Sequence, residues 1–400
     1  MSITTALVVG GGIAGPTTAI ALRRAGIAVT VCEAYPGPSD GIGSTLAIAP
    51  NGMAALDVIG AGDAVRAIAI PIIRTAVSIG HAVIDLPGLS DLEPQQMVDR
   101  GDLYRVLRER AVDAGVVFEY GRRLVSAGEE PDGITAVFAD GTTATADVLI
   151  GADGVHSTVR TLIDPNAPGA GYTGLLGFGA AVDVRLDAEP GLMHFAFGSR
   201  AYYLYWVLPD GRTAWGVNLP ARAPMSLTEA RAVPAEQWLR TLRETYAGDE
   251  PGEVLAQATT ADSLIPLGAI HIMPPVPHWY RGRMVLVGDA VHAPSNSTGQ
   301  GASLAVESAL ELARCLRDLP DPESAFAAYE GLRRERVETI TRRGARLNHR
   351  KTPGPLLRRV MRTVMPLMFR RMDLEKQLGS ELRYRIDWDA PVRVSTAARE

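Results

Sequence analysis

The sequence predicts a two-domain α/β fold in which a parallel sheet flanked by helices is interrupted by an inserted, mostly antiparallel sheet and followed by a helical C-terminal segment. Three observations lead to this prediction. Residues 4–33 match one βαβ unit, residues 172–276 alternate apolar and aromatic positions between hairpin turns, and long helical stretches follow residue 300. A chain of 400 residues is also too long for a single hydrophobic core.

The composition is that of an ordinary globular protein. Apolar residues make up 46% of the chain, charged residues make up 21%, and the net charge of −5 gives no reason to expect a nucleic-acid partner. No stretch approaches the roughly 20 apolar residues that a membrane span requires. The short apolar run at 6–9 lacks the basic flank of a signal peptide. We expect a cytoplasmic protein, a monomer or homodimer, with Cys32 and Cys315 as buried structural thiols.

The predicted elements follow one another in a regular order. The N-terminal unit is expected to contain strand 5–9, helix 13–25 and strand 28–32. Further elements are a helix at 103–114, strands at 116–120 and 148–150, a polar hairpin at 124–146, strands within 72–86, a hairpin at 202–219, and helices at 235–246, 300–317 and 322–348. We expect the strands within 72–86 to join the inserted sheet.

A glycine-rich turn follows the first strand. Gly10, Gly12 and Gly15 have GxGxxG spacing at the start of a predicted helix. Such glycines permit a tight turn, a close approach of a pyrophosphate and close packing of the helix on the strand. Glu33 ends the next strand, 18 residues after Gly15, where an acidic partner for a ribose hydroxyl is expected. The pattern predicts a Rossmann-like dinucleotide site.

Two further motifs place a carboxylate after a buried strand. Asp153 and Gly154 follow the strand at 148–150, where the Asp could cap a helix or contribute to the nucleotide site. Asp289 follows the apolar strand at 284–287 and precedes the segment Gly299-Gln300-Gly301 at a helix start. A carboxylate there can accept hydrogen bonds from sugar-like hydroxyls, and the backbone amides can donate to carbonyl or phosphate oxygens. We therefore predict one extended cofactor bound by all three motifs.

Taken together, these motifs make the chain resemble the group A flavoprotein monooxygenases, the family with the para-hydroxybenzoate hydroxylase fold. The resemblance covers about residues 4–345 and rests on GGGIAG at 10–15, GADGVHSTVR at 151–160 and GDAVH at 288–292 with GQG at 299–301. It implies a Rossmann-like FAD-binding domain of the GR2 type, with FAD as cofactor and NAD(P)H as a transient co-substrate. The cofactor-binding residues that it implies are Gly10, Gly12, Ile13, Ala14, Gly15, Glu33, Thr45, Arg100, Leu124, Asp153, Gly154, Asp289, Gly299, Gln300 and Gly301.

The resemblance also sets the expected domain boundaries. The FAD-binding domain is expected to be discontinuous, over residues 1–71, 96–171 and 277–348. The substrate-binding sheet is expected over 72–95 and 172–276. Residues 349–400 form a basic C-terminal segment with an amphipathic pattern, which either packs on the body as a closing helix or contacts a membrane surface or a lipid-like substrate.

The chain departs from the family pattern beside the flavin ring. Asp40 stands where the family usually has an Arg, and Thr45 stands where it has a second glycine. Asn296 stands where the family favours a proline, and Pro294 lies two residues earlier. We expect Asn296 and Thr45 to lie beside the flavin ring, where an amide in place of a proline changes the hydrogen bonding.

By resemblance, the expected activity is hydroxylation or epoxidation of an apolar or aromatic molecule, such as a polyketide- or terpenoid-like natural-product intermediate. NAD(P)H would reduce FAD, and oxygen would be delivered through a flavin C4a-hydroperoxide. No protein nucleophile is required, and His156 and His292 are expected to be structural hydrogen-bond partners. Tyr203, Tyr205 and His81 are the expected substrate contacts, and no metal-ligand spacing is present.

Two other functions remain open at this stage. In the first, the same fold holds FAD as a structural part while the pocket shapes a non-redox cyclisation or rearrangement, a hypothesis that the departures at Asp40, Thr45 and Asn296 favour. In the second, the chain is a flavin-binding or drug-sequestering protein without catalytic activity.

Overall fold

The computed structural model describes residues 3–38, 44–79, 82–86, 89, 91–348, 364 and 374–393. The helices in this part of the chain are α1 (Ala14–Arg24), α2 (Pro50–Val58), α3 (Gly62–Ile68), α4 (Arg100–Asp113), α5 (Thr158–Ile163), α6 (Leu227–Ala232), α7 (Ala235–Tyr246), α8 (Gly252–Ala258), α9 (Gly301–Asp318), α10 (Pro322–Asn348) and α11 (Leu374–Leu382). None of these helices is long and apolar enough to cross a membrane.

The strands of the same residues form four sheets. They are β1 (Thr5–Val9), β2 (Ala28–Glu33), β3 (Thr45–Ile48), β4 (Ile70–Ile72), β5 (Arg74–Ile79), β6 (Ala82–Leu86), β7 (Gln95–Asp99), β8 (Val117–Tyr120), β9 (Leu124–Glu130), β10 (Gly133–Phe138), β11 (Thr143–Ala146), β12 (Val148–Gly151), β13 (Gly171–Val182), β14 (Leu192–Phe197), β15 (Tyr202–Val207), β16 (Thr213–Pro220), β17 (Ile265–Ile272), β18 (Tyr280–Arg281) and β19 (Met284–Leu286).

A six-stranded sheet carries the nucleotide-binding motifs. Its order is β18-β19-β12-β1-β2-β8, and every pair is parallel except β18 with β19. Strands covered on both faces need continuous apolar runs, and Val8, Leu149 and Val285 are completely buried as this rule requires. Helix α9 packs against α1, α2 and α10, so the third motif is fixed to the first.

A seven-stranded sheet forms the second large layer. Its order is β17-β13-β16-β15-β14-β5-β6, and every pair is antiparallel except β14 with β5. The expectation that residues 72–86 join the inserted sheet is confirmed for β5 and β6. Two smaller antiparallel sheets, β3-β7-β4 and β11-β10-β9, complete the fold.

Most predicted elements are present, with boundary shifts that have local causes. Helix α4 begins at Arg100 and not at the predicted residue 103, because the side chain of Asp99 accepts hydrogen bonds from the backbone N–H groups of Gly101 and Asp102. The apolar pattern begins only at Leu103, so periodicity alone misses this first turn. Asp40, His81 and the basic residues of 349–363 and 365–373 lie outside the described residues.

Gly15 is a position where the fold admits no side chain. A Cβ atom at Gly15 would lie 1.9 Å from the carbonyl oxygen of Gly10, so Gly15→Ala must push α1 away from β1. We expect this substitution to lower the free energy of unfolding by about 1–3 kcal/mol, as overpacking does elsewhere. The measurement is urea unfolding followed by circular dichroism.

Gly331→Ala is the matched control for Gly15→Ala. Gly331 lies within α10, and a Cβ atom there would meet nothing within 4 Å. Because alanine favours a helix over glycine, this variant should gain about 0.5–1 kcal/mol. Equal stabilities for Gly15→Ala and the wild-type protein would contradict the close packing of α1 on the first turn.

Candidate functional site

The three predicted motifs lie at one edge of the six-stranded sheet. Strands β1, β12 and β19 are parallel neighbours, so the turns that follow them leave the same edge. The backbone of Ala152 donates to the carbonyl of Val9 at 2.8 Å, and the backbone of Val287 donates to that of Gly151 at 2.9 Å. Ligands of open α/β sheets bind outside the carboxyl ends of the strands, and this edge is such a place.

Glycines allow these turns to approach one another closely. A Cβ atom at Gly10 would lie 2.5 Å from the carbonyl oxygen of Ala152, and the φ angle of Gly10 is +106°. A Cβ atom at Gly288 would lie 2.7 Å from the Cβ atom of Ala14. Ala14 begins α1 and is buried, so the third turn packs directly on the start of the first helix. Larger side chains at either glycine would separate the turns.

The first turn has free space beside the start of α1. A Cβ atom at Gly12 would meet only the hydroxyl of Tyr104, at 3.8 Å. Ile13 precedes the first turn of α1, which contains no acidic residue that would repel an anion. Glu33 accepts hydrogen bonds from the backbone N–H of Gly11 at 2.6 Å and of Tyr35 at 2.9 Å. The Glu33 carboxylate therefore fixes the backbone of the first turn. It also lies at the position where a partner for a ribose hydroxyl is expected.

Arg100 lies near the third turn, beside a residue that the motifs did not indicate. Its Nε donates to the hydroxyl of Tyr104 at 2.7 Å, and the guanidinium lies over the Tyr104 ring. Burial raises the pKa of Asp289, and the charge of Arg100 partly offsets that rise. The backbone N–H of Arg100 donates to the carbonyl of Ser44, beside Thr45 at the start of β3. Tyr104 could have been found from its position one helical turn after Arg100.

Asp153 caps a helix. Its carboxylate accepts from the hydroxyl of Ser157 at 2.5 Å and from the backbone N–H groups of Thr158 at 2.7 Å and Val159 at 3.1 Å. Burial raises the pKa of Asp153 despite these donors. The helix cap, one of the two roles that the sequence left open for Asp153, is therefore present, and a contact of Asp153 or Gly154 with the cofactor remains a prediction.

Asp289 is enclosed by the fold but has no hydrogen-bond partner among the described residues. Burial raises its pKa, and Arg100 opposes that shift. Its side chain keeps some exposed surface although its neighbours Gly288 and Ala290 are buried. A carboxylate in such a place is an acceptor with free capacity, as the role predicted for it toward sugar-like hydroxyls requires.

The loop after His292 brings the remaining predicted residues together. Gly299 has a φ of +62°, and a Cβ atom there would lie 3.9 Å from that of Ala47 on β3. Gly301 begins α9, which also has no acidic residue in its first turn. Asn296 Nδ2 lies 3.5 Å from Asn218 Oδ1 on β16, so this loop contacts the seven-stranded sheet.

Two predicted cofactor contacts have buried side chains. Leu124 begins β9, pairs with Phe138 and belongs to the main hydrophobic core. Gln300 is almost fully buried and exchanges hydrogen bonds with Asn51, at 2.9 and 3.3 Å. Any contact of these two residues with a cofactor must therefore come from their backbone groups.

The expectation that Tyr203 and Tyr205 contact the substrate is corrected by the structure. Both lie on the face of the seven-stranded sheet that packs against α7 and α8, where the Tyr203 ring lies 5.1 Å from that of Tyr246. Tyr205 stacks on His194 at 4.5 Å. Alternation along β15 predicts two faces, but both are apolar, so the sequence does not indicate which one faces the site.

The opposite face of β15 is the one that faces the loop of residues 292–301, called the flavin loop below. Register pairs Tyr202 with Asn218, whose side chain meets Asn296. Leu204 and Trp206 belong to a cluster that also contains Met97 on β7 and Ala47 on β3. Residues of one face are therefore buried against helices, and residues of the other approach loop 292–301.

The remaining titratable residues form no other catalytic arrangement in the described ranges. They contain no group of His, Cys, Asp and Glu that could hold a metal. Burial raises the pKa of both Cys32 and Cys315 to about 12, so these buried thiols stay protonated. His292 Nε2 lies 2.9 Å from the hydroxyl of Ser308 inside the core, which is a structural role as predicted.

The residues at this edge fit FAD. Gly12 of the first turn leaves room for a pyrophosphate against the amides of α1, and Arg100, which is hydrogen-bonded to the nearby Tyr104, supplies a cation. Asp289 offers a free acceptor for the ribityl hydroxyls, and the start of α9 offers donors for the ring carbonyls. Each of these chemical needs was inferred from the motifs, and the structure brings the matching groups together.

His292 should make stability dependent on pH. Burial and the neighbouring Arg333 lower the pKa of His292 to about 3, well below its ordinary value. Between about pH 6.5 and pH 3 the unfolded chain binds a proton that the folded chain does not, so acid favours unfolding. We expect His292 to account for a loss of about 2 kcal/mol between pH 7 and pH 5.

The measurement compares unfolding free energies of the wild-type protein and His292→Gln at both pH values. The variant should lose about 2 kcal/mol less than the wild-type protein over this interval. His278→Gln, which changes an exposed histidine, should keep the wild-type dependence. Equal pH dependence in all three proteins would contradict the burial of a neutral His292.

Removing the Asp289 carboxylate should weaken FAD binding. We expect Asp289→Ala to raise the dissociation constant of FAD by roughly tenfold to a hundredfold, because a hydrogen bond to a charged group is lost. Fluorescence titration of the apoprotein with FAD measures this change. Asp132→Ala, in the exposed turn after β9, serves as the control. An unchanged FAD affinity in Asp289→Ala would contradict the role of Asp289 as an acceptor for the ribityl hydroxyls.

Comparisons with known proteins agree with this geometry. The sequence profile of the family described as "FAD binding domain" matches residues 3–245 and 255–344. The chain is 31% identical over 369 residues to the 6-hydroxynicotinate 3-monooxygenase of Pseudomonas fluorescens, covering 84% of this chain and 89% of that protein. It is 33% identical over 361 residues to the 3-amino-4-hydroxybenzoate 2-monooxygenase of Streptomyces cremeus, covering 85% and 86%.

A solved structure has the same fold. HpxO of Klebsiella pneumoniae, complexed with FAD and uric acid, superimposes with a TM-score of 0.81 at 24% identity, covering 95% of this chain and 96% of that chain. The family match spans most of the chain and includes all three motifs. The chain therefore belongs to the FAD-binding-domain family of the group A flavoprotein monooxygenases, and it is an FAD-dependent oxidoreductase.

Proposed function

We propose that this protein is a monooxygenase that inserts one oxygen atom into an uncharged aromatic or apolar small molecule. One NAD(P)H, one O₂ and one proton are consumed, a C–H bond of the substrate becomes C–OH, and NAD(P)⁺ and water are released. The observation that carries the proposal is the apolar face of the seven-stranded sheet directly opposite loop 292–301. FAD supplies the redox chemistry when bound, by taking a hydride equivalent and activating oxygen.

The proposed pocket wall is defined by strand register. Residues paired across β5, β6, β14, β15 and β16 share one face, and they are Thr75, Val77, Ile79, Ile84, Leu86, Met193, Phe195, Phe197, Tyr202, Leu204, Trp206, Ala214, Gly216 and Asn218. Phe195, Phe197 and Leu204 keep exposed surface, as residues that line an open space should. A flat apolar molecule could cover that surface and exclude water from the reacting carbon.

The charge of this wall limits the substrate. None of the described residues on this face is charged, and its polar side chains toward the flavin loop are Asn218 and Tyr202. An unpaired carboxylate is costly to bury against such a surface. The amide pair Asn218 and Asn296 can instead orient a neutral carbonyl or hydroxyl group, since each amide both donates and accepts.

The residues of this chain have separate roles in the proposed reaction. The backbone amide of Gly301 at the start of α9 would orient the ring end of FAD, and Asp289 would hold its ribityl chain. Asn296 would replace the family's proline at the junction between the ring and the substrate. No side chain has to form a covalent bond with the substrate, so the protein's contribution is orientation and exclusion of water.

The relatives support oxygen insertion over the non-redox alternative. The two compared proteins are named monooxygenases, and so is a third, the aurachin C monooxygenase/isomerase of Stigmatella aurantiaca, at 31% identity over 341 residues. Thr45 begins β3, and Asn296 contacts Asn218 of the seven-stranded sheet. The expected NAD(P)H dependence is typical of this family.

Anaerobic mixing tests the reaction class. The holoenzyme should lose its flavin absorbance near 450 nm when NADH or NADPH is added with a substrate, and aeration with ¹⁸O₂ should place one labelled atom in the product. A flavin that stays oxidised while product forms would overturn oxygen insertion and favour the non-redox alternative. The control omits the substrate, which separates substrate-stimulated reduction from the basal rate.

A matched pair of probes tests the substrate charge. Neutral 4-hydroxyquinoline should stimulate flavin reduction at least tenfold more than 4-hydroxyquinoline-2-carboxylate, because the carboxylate finds no partner on the pocket wall. Leu204→Arg should lower the ratio of flavin reduction rates with the neutral and the carboxylate probe, because the arginine supplies a cation for the carboxylate. Tyr205→Phe, on the opposite face, should leave it unchanged. A wild-type preference for the carboxylate would contradict the uncharged pocket.

A further inference from the structure

A chain of buried side chains connects the two ends of the flavin loop without following the backbone. Asn51 Nδ2 donates to Gln300 Oε1 at 2.9 Å and to Glu307 Oε1 at 2.6 Å. Asn51 and Glu307 are almost completely buried, as is Gln300. The C-terminal end of the loop is therefore tied to α2 through Asn51 and to the middle of α9 through Glu307.

The other end of the loop is tied to the same glutamate. Arg333 Nη2 donates to Glu307 Oε2 at 2.7 Å, and Arg333 Nε donates to the hydroxyl of Ser308 at 3.3 Å. Ser308 is the partner of His292 Nε2 at 2.9 Å. Glu307 thus stands between Gln300 and His292, which bound the loop that carries Asn296.

The charges of this network are unusual for a hydrophobic core. Glu307 and Arg333 are completely buried, and the largely buried Arg336 donates to both oxygens of Glu307 at 2.8 and 2.9 Å. Burial opposes ionisation, but the two guanidinium groups hold the pKa of Glu307 below its usual value. Apolar residues would often stabilise a core as well or better, so such a cluster calls for another role, and fixing one conformation is the best attested.

The C-terminal segment covers this cluster. The ring of Tyr384 lies 4.0 Å from the guanidinium of Arg336 and 5.5 Å from that of Arg333. Its hydroxyl donates to Glu311 Oε1 at 3.1 Å, and Arg336 donates to the carbonyl of Glu381 at 2.9 Å. Water is kept from the ion pairs, and the shielding strengthens them.

We propose that Glu307 is a positioning residue for FAD because it holds both ends of loop 292–301 in place. One arm of the network runs through Asn51 to Gln300. The other arm runs through Arg333 and Ser308 to His292. The backbone amide of Gly301, next to Gln300, then keeps a fixed geometry toward the flavin ring. The inference rests on FAD binding and not on the proposed reaction. It gives a function to Glu307, Ser308 and Arg333, which lie outside the three nucleotide-binding motifs.

The test cuts one arm of the network at a time. Glu307→Gln would leave two buried guanidinium groups short of a counter-charge and risks misfolding, so Asn51→Ala and Ser308→Ala are used instead. Each should speed FAD release by roughly tenfold and shift the flavin absorption bands and reduction potential. The double variant Asn51→Ala/Gln300→Ala should release FAD no faster than Asn51→Ala alone, because both changes break the same link.

A matched control separates positioning from general destabilisation. Thr259→Val removes a different buried hydrogen bond, the one that Thr259 accepts from Trp215 Nε1 at 3.2 Å on the far side of the seven-stranded sheet. It should leave the flavin potential and FAD release unchanged. Folded Asn51→Ala and Ser308→Ala proteins with wild-type FAD release, spectrum and potential would overturn the proposal. So would an equal effect of Thr259→Val. All measurements are made without substrate, so failure of the proposed reaction would not affect them.

Discussion

The whole site depends on a close approach of three backbone turns at the carboxyl ends of parallel strands. Gly10 lies against Ala152, Gly15 against Gly10, and Gly288 against Ala14, at distances that leave no room for a Cβ atom. Backbone groups are thereby brought to the surface of one edge, where they can meet a phosphate or a flavin carbonyl directly. Side chains then add charge and acceptors around that edge, as Arg100 and Asp289 do.

The two large sheets have different structural roles. The parallel sheet is buried on both faces and holds the turns rigidly, while the seven-stranded sheet keeps one face partly open. Loop 292–301 follows the turn after β19 of the parallel sheet, approaches Ala47 of the small sheet β3-β7-β4, and contacts Asn218 of the seven-stranded sheet. A buried ion cluster, covered by the C-terminal segment, supports this loop from behind. Cofactor binding and substrate shape are therefore set by different layers that meet at one loop.

The motifs were predictable from the sequence because their physical requirements are local. A strand, a glycine turn and a helix start are adjacent in the chain, so the local sequence alone indicates the positions of Gly10, Glu33 and Asp289 in such motifs. The sequence does not indicate which face of β15 is turned toward the site. Tyr203 and Leu204 lie on opposite faces, both faces are apolar, and only tertiary packing selects between them. The hydrogen bond between Asn51 and Glu307 is not predictable from the sequence either, because it joins residues 256 positions apart.

Hydrogen–deuterium exchange of the apoprotein with and without FAD tests the central claim most directly. One extended cofactor held by three turns should slow exchange together at residues 10–15, 151–154 and 288–301. The backbone amides of α7, which packs on the far face of the seven-stranded sheet, should be unaffected. Protection confined to a single turn, or absent from the turn after β19, would contradict a cofactor that all three turns bind.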